Sequence, residues 1–289
     1  MAHIPAVLAP VAIILSNYNM PERADDLAAW FASTTRWPHD LLVVDNGSDK
    51  VPIPAHTNLG WRENVGPAGV WRIATTYAER LARKRGVPHL GYLLCCTSTA
   101  IPESQRERDL ISPLAELLES DPNAVFAHPA YTPDTESYFR HMVDGGSGGP
   151  RRLGFCETQC GLVRADWFHA IGGYEPDFQL HWGVDIDLCV QAKRQGRGVW
   201  LHEGVLVRKE ESRGYTSGRY EMSAEERTTR ALAEMDAILL RKYGRRGREL
   251  IAELEGTARR SRSDPPPPRG VLDSLRRAAG RLGARLAPR

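Results

Sequence analysis

VAIILSNYN (residues 11–19) and LLVVDNGSD (41–49) are the two stretches on which the fold turns. Each is an apolar, strand-length run rich in Val, Ile and Leu that ends abruptly in small polar side chains. Val11–Ser16 and Asp40–Asp45 read as strands, and between them Pro21–Ser33 opens with proline and reads as a helix, so the unit is strand, helix, strand. In an open parallel sheet ligands sit beyond the carboxyl ends of the strands, and both polar clusters fall at such ends. There Asp45 can accept hydrogen bonds from a base or ribose, Tyr18 can cover a ring, and Gly47 lets the backbone turn sharply. Taken alone, Asp45-Asn46-Gly47-Ser48 reads first as an ordinary turn.

Outward from these runs the alternation continues. Pro67–Arg85 and Arg108–Glu119 read as helices, and Leu90–Cys95 and Ala124–Ala127 as strands. From Thr132 to Gly154 the pattern breaks into a Gly-rich stretch, DGGSGGP (144–150), read equally as a mobile loop beside a site or as plain surface disorder. Thr158–Arg164 reads as a strand, Asp166–Ile171 as a short helix, and Asp185–Gln195 as a helix ending at Gly196. One or two strands are expected within Val199–Val207, then a helical Ala224–Glu255 with a break near Gly244. SRSDPPPPR (261–269) is a stiff linker. Beyond it Leu272, Leu275, Ala279, Leu282 and Leu286 share one helix face, and Arg277, Arg281 and Arg285 the other. That basic tail suits an anionic membrane surface or an acidic partner, and equally a packed or frayed end. The expected division is a main domain over 1–222, a helical extension over 223–260, the linker, and the tail over 270–289.

Composition sets outer bounds. At 289 residues, 42% hydrophobic and 26% charged, the chain can form one large α/β domain plus an appendage. Its longest apolar runs fall far short of the roughly 20 residues that span a bilayer. With no basic and then long apolar leader at the N-terminus, a cytoplasmic protein is expected. Cys95, Cys96, Cys156, Cys160 and Cys189 show no repeated CxxC spacing, which favours buried free thiols over disulfides or structural zinc. The nine histidines lack metal-site spacing. Net charge is +2, yet residues 257–289 carry +7, leaving about −5 elsewhere; nucleic acid is not an expected partner.

The combination is more specific than its parts. SNYN, then VDNGSD, then Asn64-Val65-Gly66-Pro67-Ala68-Gly69 opening a helix, resembles the N-terminal half of family 2 glycosyltransferases. Downstream, CGLVRADWFHAIGGYEPDFQLHWGVDIDLCVQAKRQGRGVWL (160–201) is similar to that family's acceptor-side block. The likeness, of a rhamnosyltransferase-like kind, covers roughly residues 10–215. It implies a GT-A fold: a Rossmann-like, mostly parallel sheet flanked by helices, here with a C-terminal helical extension. It further implies a nucleotide-sugar site built from Tyr18, Asn19, Asp45, Asn46, Gly47, Asn64 and Gly66. Asp185 stands where the family places its catalytic base, in a Glu-Asp pair that here reads Val184-Asp185. The implied reaction is inverting transfer from a UDP-, dTDP- or GDP-sugar to a glycan, lipid-linked, small-molecule or protein acceptor. Trp182 and His181 could line an acceptor site or simply anchor a loop. Asp187, a second acceptor-side candidate, reads first as a helix-start charge.

Two departures concern metal. Where the family ends a strand in an aspartate-bearing metal motif, this chain reads GYLLCCTSTAIPES (91–104), with no carboxylate between Leu90 and Ile101. Thr97, Ser98 and Thr99 can donate to phosphate but are poor ligands for Mg2+ or Mn2+. Where the family often has a metal-binding histidine, GVLVRKEES (204–212) offers Arg208 and Lys209. The expectation is therefore no required cofactor, divalent Mn or Mg lacking its usual ligands, and Arg208 or Lys209 neutralising the diphosphate. A different class stays open: a pseudoenzyme that keeps the fold and binds a nucleotide-sugar or a protein without turnover. A nucleotidyltransferase would want a Gly-rich phosphate loop after the first strand, and SNYNMPER (16–23) offers none. Arg151 and Arg152, after the Gly-rich stretch, could reach phosphate or an anionic acceptor, but read first as solvated loop charges.

Overall fold

The computed structural model describes residues 9–102, 108–135, 137, 139–210, 226 and 228–244. The linker (261–269) and basic tail (270–289) lie outside the described residues. Nine strands make one sheet: β1 (Val11–Asn17), β2 (His39–Asp45), β3 (Thr57–Gly60), β4 (Tyr92–Thr97), β5 (Ala100–Ile101), β6 (Ala124–Tyr131), β7 (Pro150–Leu153), β8 (Gly161–Arg164) and β9 (Gly198–Lys209). Their order is β3-β2-β1-β4-β8-β6-β9-β5, with β7 pairing β9. The β3-β2-β1-β4 half is parallel, β8 is inserted antiparallel, and β6 and β9 resume the first direction. Only β5, β7 and β8 run the other way. The mostly parallel α/β class expected from the alternation is what the chain forms.

The helices follow from their apolar spacing. In α1 (Pro21–Thr34), Ala24, Leu27, Ala28 and Phe31 form the buried stripe. In α2 (Pro67–Lys84), Val70, Trp71, Ala74, Ala78 and Ala82 do so, with Arg83 and Lys84 at the negative C-terminal end. α3 (Ile111–Ser120) starts three residues later than the pattern suggests. Asp109 explains the start: its Oδ1 accepts from Ile111 N at 2.8 Å and Ser112 N at 3.2 Å, a capping contact. α4 (Ala165–Ala170) and α5 (Val184–Arg194) complete the set, and residues 228–244 are also helical.

Three short strands escaped the sequence reading, because β3, β5 and β7 have two to four residues each and little apolar pattern. The Gly-rich stretch is a second correction. Glu203 of β9 accepts from Ser147 N at 3.0 Å and from Arg151 Nε at 2.6 Å, and β7 pairs with β9 directly after it. The segment between Asp144 and Leu153 is therefore anchored to β9 and runs into β7, and Arg151 is an ion-pair partner rather than a solvated charge.

One continuous core holds these layers, with Ile13, Ile14, Leu15, Leu93, Leu94, Phe126 and Trp71 fully buried. Ile238 and Leu239 of the 228–244 helix belong to the same cluster. That helix is pinned as well as packed: Asp187 accepts from Lys242 Nζ at 2.7 Å and from Tyr243 Oη, and Glu234 accepts from Leu180 N at 2.9 Å. Among the described residues no helix is long and apolar enough to cross a membrane.

Candidate active site

Parallel register brings the polar strand exits to one edge. Asn17 is opposite Asp45, and Ser16 is opposite Thr97. The exits of β1 and β2 interlock. Asp45 Oδ1 accepts from Asn17 Nδ2 at 2.9 Å and from Ser48 Oγ at 2.6 Å, while Oδ2 accepts from Ser48 N at 2.9 Å. Asn19, with φ of 57°, donates through Nδ2 to Asp49 at 3.0 Å and accepts from Asp49 N at 3.1 Å. Tyr18 Oη donates to Asp49 Oδ1 at 3.4 Å.

The 64–66 turn joins the same cluster. Asn46 Nδ2 donates to Asn64 Oδ1 at 2.9 Å, Asn46 Oδ1 accepts from Val65 N at 2.9 Å, and Asn64 Oδ1 accepts from Gly66 N at 2.8 Å. Gly47 and Gly66 are required here. Each has positive φ, and a Cβ would lie 2.4 Å from the Glu63 carbonyl carbon or 2.7 Å from Gln179 O, respectively. All seven residues read from the sequence as one nucleotide-sugar cradle are thus adjacent. Asp45 spends three of its acceptor positions on holding the cradle itself.

A second cluster forms where β4, β6 and β9 end. Thr97 and Thr99 share a hydroxyl contact of 2.8 Å, and Ser98 N donates to Ser16 O at 3.2 Å. β5 sets Ala100 beside Lys209 and Ile101 beside Arg208, so the threonine turn and the two cations are neighbours. Lys209 Nζ donates to Glu157 Oε1 at 2.5 Å. Glu157 is 5% exposed and also accepts from Tyr131 Oη at 2.7 Å and Ser137 Oγ at 2.9 Å. Burial opposes its ionisation, yet the Lys209 charge and these donors outweigh that and hold its carboxyl below the usual range. Arg208 Nη2 meets Glu210 at 2.5 Å.

Asp185 occupies the first turn of α5, behind Gly183. It is half-buried; burial first and the Glu157 charge second raise its carboxyl to about 7, against the pull of Ile186 N at 3.0 Å and of Lys209. Asp187 is buried and turned to Lys242 and Tyr243, which is the helix-start, supporting use of that carboxylate. Trp182 is half-buried on the turn before α5. His181, with φ of 71°, packs edge-on to Trp71 at 5.0 Å, which ties this turn to the start of α2.

Two residues of this edge were missed by sequence reasoning. Glu157 showed only as a lone acid inside the apolar GFCETQCGLV (154–163), and its partners are 26 and 52 positions away. Arg23 lay in SNYNMPER, yet its guanidinium reaches Glu210.

No protein-family model matches the chain, and no curated protein matches it. Solved structures do. The complex of GalNAc-T7 with UDP, GalNAc and Mn2+ superposes with a TM-score of 0.61 at 10% identity, covering 94% of this chain and 55% of that one. The chain thus spans about half the length of that neighbour. The mannosyltransferase PcManGT from Pyrobaculum calidifontis, in complex with GDP-Man and Mn2+, gives 0.53 at 14% identity, covering 98% of this chain and 83% of that one. At these identities the likeness establishes the fold, and the fold is GT-A.

Proposed function

We propose that this protein is an inverting glycosyltransferase of the family 2 kind that moves a sugar from a nucleoside diphosphate donor to an acceptor hydroxyl. The observation that carries the reading is the conjunction at one strand edge of Asp185, its carboxyl raised to about 7, with Lys209 fixed by Glu157. A carboxylate titrating near the working pH is suited to general-base use. In the proposed step Asp185 takes the proton of the acceptor hydroxyl as its oxygen attacks the anomeric carbon. The bond from that carbon to the diphosphate breaks on the opposite face, and configuration inverts. The nucleoside end lies against the Tyr18–Asp45–Asn64 cradle, with Thr97 and Thr99 donating to the diphosphate.

Both neighbours' structures hold Mn2+ and a nucleotide or nucleotide-sugar. The nucleotides support a nucleoside diphosphate donor here; the donor set does not suit the metal. Among the described residues no cluster of three or more His, Cys, Asp or Glu could hold an ion, and Thr97, Ser98 and Thr99 at the β4 exit bring hydroxyls and no carboxylate. In this proposal the fixed charges of Lys209 and Arg208 stabilise the departing diphosphate, which needs no change of coordination during reaction. Its rhamnosyltransferase-like likeness makes dTDP-sugars one donor class, beside UDP- and GDP-sugars. The basic tail adds peripheral contact with an anionic membrane, checked by sedimentation with anionic vesicles; no co-sedimentation removes that part.

The deciding measurement is calorimetric titration of UDP, GDP, dTDP and their common sugars, each in excess EDTA and again with Mn2+. Tight binding of one nucleotide that ignores EDTA supports the fixed-cation donor site. Binding only with Mn2+ overturns metal independence. No binding under either condition overturns the donor site and leaves the partner-binding pseudoenzyme as the reading. Asp185→Asn is expected to reduce turnover at least a hundredfold with nucleotide affinity nearly unchanged.

A further inference from the structure

One carboxylate at this edge has no part in that scheme. Glu210, the residue after β9, donates its backbone N–H to Thr99 O at 3.0 Å, which ties it to the exit of β4. Its side chain is divided between two guanidiniums: Oε1 meets Arg208 Nη2 at 2.5 Å, and Oε2 meets Arg23 Nη1. Arg23 lies in the first turn of α1, just past Met20, whose sulfur is 3.8 Å from Ser98 Oγ. Arg23 of α1 and Arg208 of β9 therefore meet on one anion, whose backbone is tied to the threonine turn.

The two carboxylates that hold cations here are built differently. Glu157 is enclosed and receives Lys209, Tyr131 and Ser137. Glu210 keeps 19% of its side chain exposed, and Arg23 keeps 39%. The first pair is a permanent fixture; the second is open to exchange with an incoming anion. A carboxylate bridging two guanidinium forks supplies the charge and acceptor pattern that a phosphoryl group presents.

We propose that Glu210 is an internal stand-in for phosphate: Arg23 and Arg208 form the seat of one phosphoryl group, and a nucleoside diphosphate enters by displacing the Glu210 carboxylate. This rests on the donor reading above and adds Arg23 and a built-in competitor to it. Asp134 is exposed, and its carboxyl is held below the usual range first by the Thr132 hydroxyl and only weakly by the Arg208 charge, so it is a minor second acid near Arg208. Because the competitor is covalently attached, it lowers affinity for every diphosphate alike, whatever base or sugar is attached. Its removal leaves two arginines facing an empty seat.

The test is calorimetric titration of UDP, GDP, dTDP and inorganic pyrophosphate into the full chain in excess EDTA, at low and high salt. The parent is compared with Glu210→Gln, Arg23→Ala, Arg23→Lys and the Glu210→Gln/Arg23→Ala double variant. Glu210→Gln is expected to bind about fivefold tighter at low salt, with the gain shrinking at high salt. Arg23→Ala should weaken binding, Arg23→Lys should retain part of it, and the double variant should lose most of the gain. A gain in affinity cannot arise from misfolding, so the outcome is readable even where Arg23→Ala lowers stability. If the parent binds a nucleotide but Glu210→Gln binds no tighter, the stand-in is wrong and the donor reading survives. If neither the parent nor Glu210→Gln binds any of the four probes, the stand-in falls, and the titration with Mn2+ decides separately whether the donor reading falls with it.

Discussion

At the scale of the residue, Asp185 carries a pH signature. Its carboxyl is raised from 3.8 to about 7, chiefly by burial and then by Glu157. Below pH 7 the base is protonated, so kcat/KM should rise with pH through about 7 and then level off. Glu157→Gln removes the neighbouring negative charge, and the rising limb should move down by roughly half a unit to one unit. An unmoved limb would mean that burial alone sets the value. Linkage gives a matching stability effect. Between about pH 4 and 7 the folded state holds a proton that the unfolded chain has released, so this group's contribution falls as pH rises. Asp185→Asn should therefore melt higher than the parent above pH 7, on the order of 3 °C, with the gap closing toward pH 4. The Lys209–Glu157 pair is tested by a double-mutant cycle in urea. Lys209→Met leaves a buried carboxylate uncompensated and should cost about 3 kcal/mol, much of it recovered in Lys209→Met/Glu157→Gln. Additive losses would show that the two side chains do not depend on each other.

At the scale of the element, turns decide whether the strand exits form a site. Gly66 precedes α2 at φ +78°, and its missing Cβ is where Gln179 O approaches. Gly66→Ala should destabilise by about 2 kcal/mol and also lower turnover, because the displaced Gln179 segment leads directly to α5 and Asp185. Unchanged unfolding free energy would rule out this contact as a constraint. The long, patterned elements were legible in the sequence because they bury a regular stripe: β1, β2, α1 and α2 fall within a residue or two of where their periodicity puts them. The short strands were not, since β3, β5 and β7 exist only through their partners. The Gly-rich 144–150 stretch resembled a mobile loop because its anchor, Glu203, is more than fifty residues away.

At the scale of the whole molecule, the 228–244 helix is bound into the same core as the sheet through Ile238 and Leu239. The five cysteines are buried in that body, and burial pushes the thiols of Cys95 and Cys189 up to about 12. A thiol reagent at pH 8 should label none of them in the native chain and all five in guanidinium. Rapid native labelling would show that the core opens far more often than its packing implies.

The sequence by itself determined the α/β class, the strand exits that meet at one edge, the position of Asp185, and the lack of a carboxylate at the β4 exit. These are local matters of period, turn residues and side-chain chemistry, readable without knowing what packs where. Only the tertiary structure decided which charges meet. Asp185 owes its raised carboxyl to burial and to Glu157, Lys209 points to Glu157, Asp187 turns away to Lys242 and Tyr243, and Glu210 lies between Arg23 and Arg208. Most of these pairings cross fifty or more positions and are set by sheet register and helix docking, and a charge has no sequence neighbourhood that announces its partner.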